Sequence, residues 1–443
     1  MCCAEVQSGP LTSTVDVTAR LESMIAPRVL LLTGTLPSAS SVGGLILRDL
    51  TRLYPRGRLS CFALLNSGAE CVNADPDWLP RQLVMLPRSF DADWHRGPPG
   101  RILTHARFRL SRHWYERSLV RQTLEFGRRL DVQLIWAVLD RPVVYRLAPA
   151  VADLLNVPLV STVWDPPDSV CVNANLDRFS AAMAVRDFDR ALSRATRCTV
   201  MTEAMAREYA TRHRIQTVIM RHVTAAADCL EPARRPNSHG PFTIGFCGSL
   251  YAVREFRALL AALDAAGWQI AGRSVRLRVM TGALSGAIGP RAAVEWLGWR
   301  PQRETIRTLG ESDVNYLPYW FDPRRRNAVR LCFPSKLTTY LAAGRPILFH
   351  GPAESAPAEF MRRHPVGVCC HSPTGADLIG GLTRFATNTD AYQCATTAIA
   401  DVRDREFSAA KLGERFAALL GIPESSLTSA PAAGAAAELV AVP

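Results

Sequence analysis

Short apolar runs that end in small-residue loops and pass into helices occur in two successive series along this chain, and that pattern constrains its fold more than any other feature. The first series opens with Val29-Leu30-Leu31-Leu32-Thr33, a strand of the kind buried on both faces. It runs into the loop Pro37-Ser38-Ala39-Ser40-Ser41-Val42-Gly43-Gly44 and a helix over Leu45 to Leu53. Further strands are expected at Leu59 to Leu65, Val132 to Val138, Leu159 to Val163, Cys198 to Met201 and Thr217 to Met220. The second series begins with Phe242-Thr243-Ile244-Gly245-Phe246-Cys247, turns through Gly248-Ser249-Leu250-Tyr251 and enters a helix from Arg254 to Ala266. Strands at Val275 to Met280, Val294 to Leu297, Val314 to Leu317, Pro346 to Phe349 and Val366 to Cys370 complete it.

Alternation of this kind predicts an α/β protein of two Rossmann-like domains, each a parallel sheet covered by helices, with ligands held in an interdomain cleft at the carboxyl ends of strands. Residues 1–27 read as a polar lead-in and 28–230 as the first domain. The proline-rich stretch 231–241 reads as a linker, and 242–404 as the second domain. A last helix within 405–421, about Ser408 to Leu420, is expected to return to the first domain, and 424–443, rich in Ala and Ser, to be a flexible tail.

The segment from Phe333 to Pro346 carries the clearest chemistry. Pro334 and Ser335 suit a helix start, and Gly344 with Pro346 stops it, so the helix is expected from about Lys336 to Ala343. A lysine in the first turn opposes the helix dipole unless an anion neutralises both, which makes this a place to hold phosphate. Of the 52 basic side chains only Lys336 and Lys411 are lysine, which suggests a compact point charge at Lys336.

Composition narrows the class. With 443 residues, 48% hydrophobic and 21% charged, the chain has an ordinary globular composition. The 12 cysteines show no CxxC pair, which fits neither a zinc module nor a disulfide framework and points to a reducing cytoplasm. Neither a secretory leader nor a bilayer-spanning run is evident. The net charge of +12 admits anionic lipid, phosphorylated substrates or nucleic acid as partners. Nucleic acid fits least, since no aromatic platform for bases is visible.

This order of elements resembles a retaining GT-B glycosyltransferase of the large family-4 type over roughly residues 28 to 420. The resemblance rests on the Lys336 helix, on Thr202-Glu203-Ala204-Met205 after a strand, on Gly248-Ser249-Leu250, and on Ser312-Asp313-Val314-Asn315-Tyr316-Leu317-Pro318-Tyr319. It implies transfer of a hexose-type sugar from a nucleotide-diphosphate donor to a glycan or lipid-linked acceptor of the cell envelope, with no metal or other cofactor. It also implies that Lys336 and Arg254 hold the donor diphosphate, with Gly248, Ser249, Pro334, Ser335, Thr338 and Thr339 completing the cradle. The base pocket would resemble the loop around Trp299 and Arg300, with Gly282 close by. For Trp299, packing under the loop is the competing reading. Gly43 and Gly44 match the loop facing the donor, where a side chain would collide with phosphate or sugar.

The chain also departs from that family. Many relatives carry two glutamates eight positions apart where Leu331 and Thr339 stand here, and the histidine after a first-domain strand is replaced by Trp164. Asp165, the next residue, is expected either to touch sugar hydroxyls or to begin a turn before Pro166 and Pro167. Asp322 poses the same choice, and Arg330 is a candidate to approach the phosphates. A nucleotide-sugar 2-epimerase of related fold lacks the converging carboxylates and histidines it needs. A catalytically silent nucleotide-sugar or membrane binder remains the alternative from another class.

Two further patterns stand apart from this resemblance. The triplets Asp75-Pro76-Asp77, Asp91-Ala92-Asp93 and Asp187-Phe188-Asp189 are too short to specify a metal, and a helical Asp187 and Asp189 would face different sides. Between Arg101 and Arg129 arginines recur among Ile102, Leu103, Phe108, Leu110, Trp114 and others. Such a basic amphipathic helix suits an anionic membrane surface, for a protein working from the cytoplasm at its inner face, or simply the wall of a core.

Overall fold

A computed structural model describes residues 26–38, 41–66, 77–86, 98–237, 239–282 and 291–428. The lead-in up to residue 25, Asp75, Asp91, Asp93 and residues 429–443 lie outside the described residues.

Two parallel sheets carry the chain. The first contains β1 (Val29–Thr33), β2 (Leu59–Asn66), β3 (Arg81–Leu86), β4 (Leu134–Val138), β5 (Leu159–Thr162), β6 (Arg197–Val200) and β7 (Gln216–Ile219), in the order β3-β2-β1-β4-β5-β6-β7. Val29 lies level with both Leu59 and Leu134. The second contains β8 (Phe242–Cys247), β10 (Arg273–Met280), β11 (Val294–Trp296), β12 (Val314–Pro318), β13 (Ile347–His350) and β14 (Gly367–Cys370), ordered β11-β10-β8-β12-β13-β14. The two-residue β9 (Gln269–Ile270) pairs antiparallel with β10. The sequence had suggested neither β3 nor β9.

The continuous apolar runs are explained by burial on both faces. Val29 and Leu31 of β1, with Trp136 of β4, join Leu47, Leu50 and Phe416 on one side of the first sheet. Leu30, Leu32 and Ile135 face the helices Pro98–Arg129, Pro142–Leu155 and Arg178–Arg194 on the other. Period-two alternation thus survives inside runs that are apolar throughout. In the second domain Phe242, Ile244 and Phe246 pack on the helices Val253–Ala265 and Leu378–Thr387.

The helix Ala409–Leu420 packs on the first sheet rather than the second: Phe416 lies 4.9 Å from the Trp136 ring and 6.3 Å from Tyr54. The segment after it is partly ordered. Glu424–Ser426 form a 3₁₀ turn, and Thr428 donates its N-H to the Leu53 carbonyl at 2.9 Å, so the flexible tail expected from residue 424 does not begin there.

In each sheet the strand order reverses once, between β1 and β4 and between β8 and β12. A crevice opens at the carboxyl edge at such a switch point, because the following loops and helices leave toward opposite faces. In the first sheet Asp140, just past β4, fastens this edge by accepting the Gly34 amide at 2.9 Å and the Thr35 hydroxyl at 2.8 Å.

Candidate functional site

The switch point of the second sheet places the Lys336 helix. After β8 the chain turns through Gly248 at φ +79°, a left-handed conformation that suits glycine, and leaves Gly248 and Ser249 exposed. A Cβ on Gly248 would stand 3.2 Å from Lys336 Nζ, so the turn lies directly over the ammonium. The helix spans Ser335–Ala342, one residue earlier than the sequence suggested. Its N-cap is Pro334 and no side chain caps it, so Ser335 is an exposed first-turn residue and not the hydroxyl cap expected of it. The first N-H groups of this end, left without a side-chain cap, give the partial positive charge on which an anion settles.

Lys336 is 7% exposed, yet no carboxylate pairs with it among the described residues. Its Nζ instead lies 4.3 Å from the centroid of the Tyr251 ring and 5.7 Å from that of Phe246. Burial lowers its pKa to about 8, because a desolvated ammonium is penalised and no opposite full charge stands beside it among the described residues. Tyr251 is itself held by Trp320, whose indole N-H donates to the Tyr251 carbonyl at 3.0 Å. Its hydroxyl is buried without a hydrogen-bond partner. Tyr251, Phe246 and Trp320 carry no local sequence signal for this role, although Tyr251 ends the loop Gly248-Ser249-Leu250-Tyr251.

The other site candidates divide. Arg254 is exposed in the first turn of Val253–Ala265 and forms no ion pair among the described residues. Trp299 is 61% exposed, which removes the reading that it packs under its loop, and a Cβ on Gly282 would stand 3.9 Å from the Trp299 Cβ. Arg300 is occupied by Glu304 at 3.0 Å. Thr338 is buried with its hydroxyl 3.5 Å from the His222 carbonyl, a joint between segments more than a ligand contact. Thr339 is partly buried on the same helix, and Leu331 is 1% exposed.

The protein's own packing already favours glycine at positions 43 and 44. A Cβ on Gly43 would meet the Trp164 ring at 2.8 Å, and one on Gly44 the Ser38 hydroxyl at 2.6 Å. Asp165 leaves β5 toward the second domain, where the Cys332 thiol hydrogen-bonds its carboxylate; burial pushes its pKa up. Cys332 stands four residues before Lys336, so Asp165 faces the approach to the lysine helix. Asp322 is a turn former, accepting the Arg324 N-H at 3.0 Å, and Arg330 pairs with Glu208 at 3.3 Å, away from any phosphate role. Asp187 and Asp189 are taken by Arg190 at 3.6 Å and by Arg212 at 2.5 Å respectively.

A buried ionic cluster joins the two domains behind this cleft. Arg221, 1% exposed, lies 2.8 Å from Glu203 and 3.4 Å from Glu406, with its guanidinium 4.9 Å from the Phe333 ring. Glu203 also meets Arg363 at 2.6 Å, and opposed cations hold its pKa down to about 2 against the effect of burial. Thr202 adds a bond from its hydroxyl to the Leu331 carbonyl at 3.0 Å.

Two doubly wound parallel sheets with a cleft between their carboxyl edges define the GT-B fold, and solved structures share it across most of the chain. HepE of Anabaena, solved in complex with UDP, matches at 14% identity over 89% of this chain and 99% of its own, with a TM-score of 0.59. A UDP-forming α,α-trehalose-phosphate synthase from Burkholderia xenovorans matches at 13% identity, 89% and 99% coverage and a TM-score of 0.61. The lipopolysaccharide outer core galactosyltransferase WaaB matches at 11% identity, the same coverages and a TM-score of 0.57. No family model matches the sequence, and no curated protein matches it.

Proposed function

We propose that this protein is a hexosyltransferase that takes a sugar from a nucleotide-diphosphate donor, holding the diphosphate between Lys336, Arg254, the Gly248-Ser249 turn and the uncapped start of the helix Ser335–Ala342. The carrying observation is Lys336, a nearly buried ammonium that pairs with no carboxylate among the described residues, at a helix start that no side chain caps. An ammonium desolvated this way is a standing cost unless an anion comes to it. The leaving nucleoside diphosphate gains negative charge as the glycosidic bond breaks, so cations and N-H groups fixed beforehand stabilise the transition state more than the bound donor.

Neighbours of the same fold support the donor class, since HepE has been solved with UDP and with UDP-glucose. In this reading Trp299 with Gly282 meets the base, and Asp165, beside Cys332 at the approach to the lysine helix, meets sugar hydroxyls. Retention of configuration and independence of a divalent metal complete the reading, the lysine and helix start serving where a metal would. The acceptor is a glycan or glycolipid of the cell envelope, met at the inner face of the membrane.

The test is thermal stabilisation by UDP, GDP, ADP, dTDP and CMP, with and without EDTA, followed by donor hydrolysis and transfer assays. Ligand at about 100 times its Kd adds roughly 2.7 kcal/mol of stability. A shift by one diphosphate that persists in EDTA, with turnover of its sugar, supports the reading; no shift by any nucleotide refutes it. Tight binding without turnover would instead favour a silent binder, the reading suggested by Leu331 and Thr339 at the glutamate positions.

A further inference from the structure

Ile102 and Leu103, near the start of the helix Pro98–Arg129, are 73% and 60% exposed, and Leu110 two turns on is 60% exposed. With Ala106, also exposed, they recur at helical spacing along one side. The apolar surface does not end with this helix. The His105 ring, one turn after Ile102, meets the Phe179 ring with centroids 5.8 Å apart, and Phe179 is itself 56% exposed. Val172, on the helix Pro167–Asn173 that packs against the helix of Phe179, is 62% exposed. Five large apolar side chains beyond half exposure in adjoining elements make a patch that a soluble surface rarely presents without a partner.

Charge identifies the partner. Residues 98–115 hold Arg101, Arg107, Arg109 and Arg112 and no acidic residue. Arg109 is exposed between the apolar side chains, and the exposed Arg178 lies over the Phe179 ring at 4.5 Å. Apolar side chains set among arginines, with the neighbouring Asp177 buried and Asp168 partly buried, match the boundary between lipid tails and anionic headgroups, where the stems lie in the apolar layer and the guanidinium groups meet phosphate.

We propose that Ile102, Leu103 and Phe179, with Arg109 and Arg178, form a docking surface for an anionic lipid bilayer. Resting on the transfer reading above, this surface also orients the cleft. The helix Pro167–Asn173 starts two residues after Asp165, so the patch adjoins the carboxyl edge of the first sheet. A bilayer seated on the patch presents a lipid-linked acceptor to the mouth of the cleft without releasing it into water.

The test is co-sedimentation of the full chain with phosphatidylglycerol/phosphatidylcholine vesicles and with phosphatidylcholine vesicles alone. Wild type should partition onto the anionic vesicles, less so as salt rises. Ile102→Asp/Leu103→Asp should reduce partition by on the order of tenfold or more, and Arg109→Gln/Arg178→Gln by about fivefold per arginine. These side chains are surface-exposed, so the variants should keep the wild-type melting point and UDP shift. No partition of wild type, or partition of both double variants equal to that of wild type, overturns the proposal. So does a dimer that Ile102→Asp/Leu103→Asp dissolves while no form binds vesicles, since the patch then serves a second copy. The UDP shift separates the two readings: lost vesicle binding with the shift intact refutes docking alone, and vesicle binding without any nucleotide shift refutes the donor site alone.

Discussion

Replacing Lys336 by methionine should make this protein more stable and less active at once. Methionine keeps the length of the stem and removes the charge. A lysine whose pKa falls from 10.5 to about 8 on folding is more protonated in the unfolded chain between those values. Stability therefore rises with pH across that window, and the full cost of the buried charge is present below pH 8. At 1.36 kcal/mol per unit that cost is about 3 kcal/mol, from which the lost attraction to the Tyr251 and Phe246 rings takes back roughly 0.5 to 2 kcal/mol. Urea unfolding of the ligand-free protein at pH 7 should show Lys336→Met more stable by about 1 to 3 kcal/mol. Transfer should fall in the opposite sense. Loss of a fixed cation facing developing negative charge costs on the order of 2 to 4 kcal/mol, or about 30- to 1,000-fold in kcat/KM. A variant that is less stable than wild type with kcat/KM unchanged would refute the reasoning, because Lys336 would then be a structural cation.

The same lysine links nucleotide binding to protons. A diphosphate raises the depressed pKa, so calorimetry at pH 8 should show about half a proton taken up per nucleotide, with affinity falling as pH rises above 8. Lys336→Met should abolish the uptake. Gly248→Ala should cost about 1 to 3 kcal/mol, since it forces φ +79° on a residue with a Cβ and sets that carbon 3.2 Å from the ammonium; a nucleotide titration should show weakened binding in parallel. Glu203→Gln should destabilise by about 3 kcal/mol at pH 7 in denaturant unfolding, because it leaves Arg221 buried beside a neutral partner. Glu203 has its folded pKa held at about 2, so wild type should lose this contribution as pH falls from about 4.5 toward 2, while the variant shows no such loss from this group.

The two sheets were readable because parallel strands covered on both faces appear as uninterrupted apolar runs, Val29–Thr33 and Phe242–Cys247 among them. Where that condition fails, so does the reading. β3, Arg81–Leu86, is an edge strand with exposed Arg81, Leu83 and Met85, and β9 has only two residues. The Lys336 helix was legible from local signals, a proline start and a glycine stop. Its surroundings were not, because they are set by long-range packing: Tyr251 under the ammonium, Cys332 on Asp165, Arg221 between Glu203 and Glu406. Gly43 belongs with them, since a Cβ there would meet the Trp164 indole, a neighbour that no local signal announces.

The return of Ala409–Leu420 to the first sheet bears on how the chain is made. The second sheet is an insertion between two parts of the first domain, one ending at β7 and the other beginning at Ala409. During synthesis the first seven strands leave the ribosome with the face around Trp136 and Tyr54 still waiting for Phe416. The inserted domain emerges next and has its own core to close on, so the domain that starts first is the one that finishes last. A chain cut short before residue 409 would carry a complete inserted domain beside a first domain with an open apolar face, and aggregation is the outcome to expect of it.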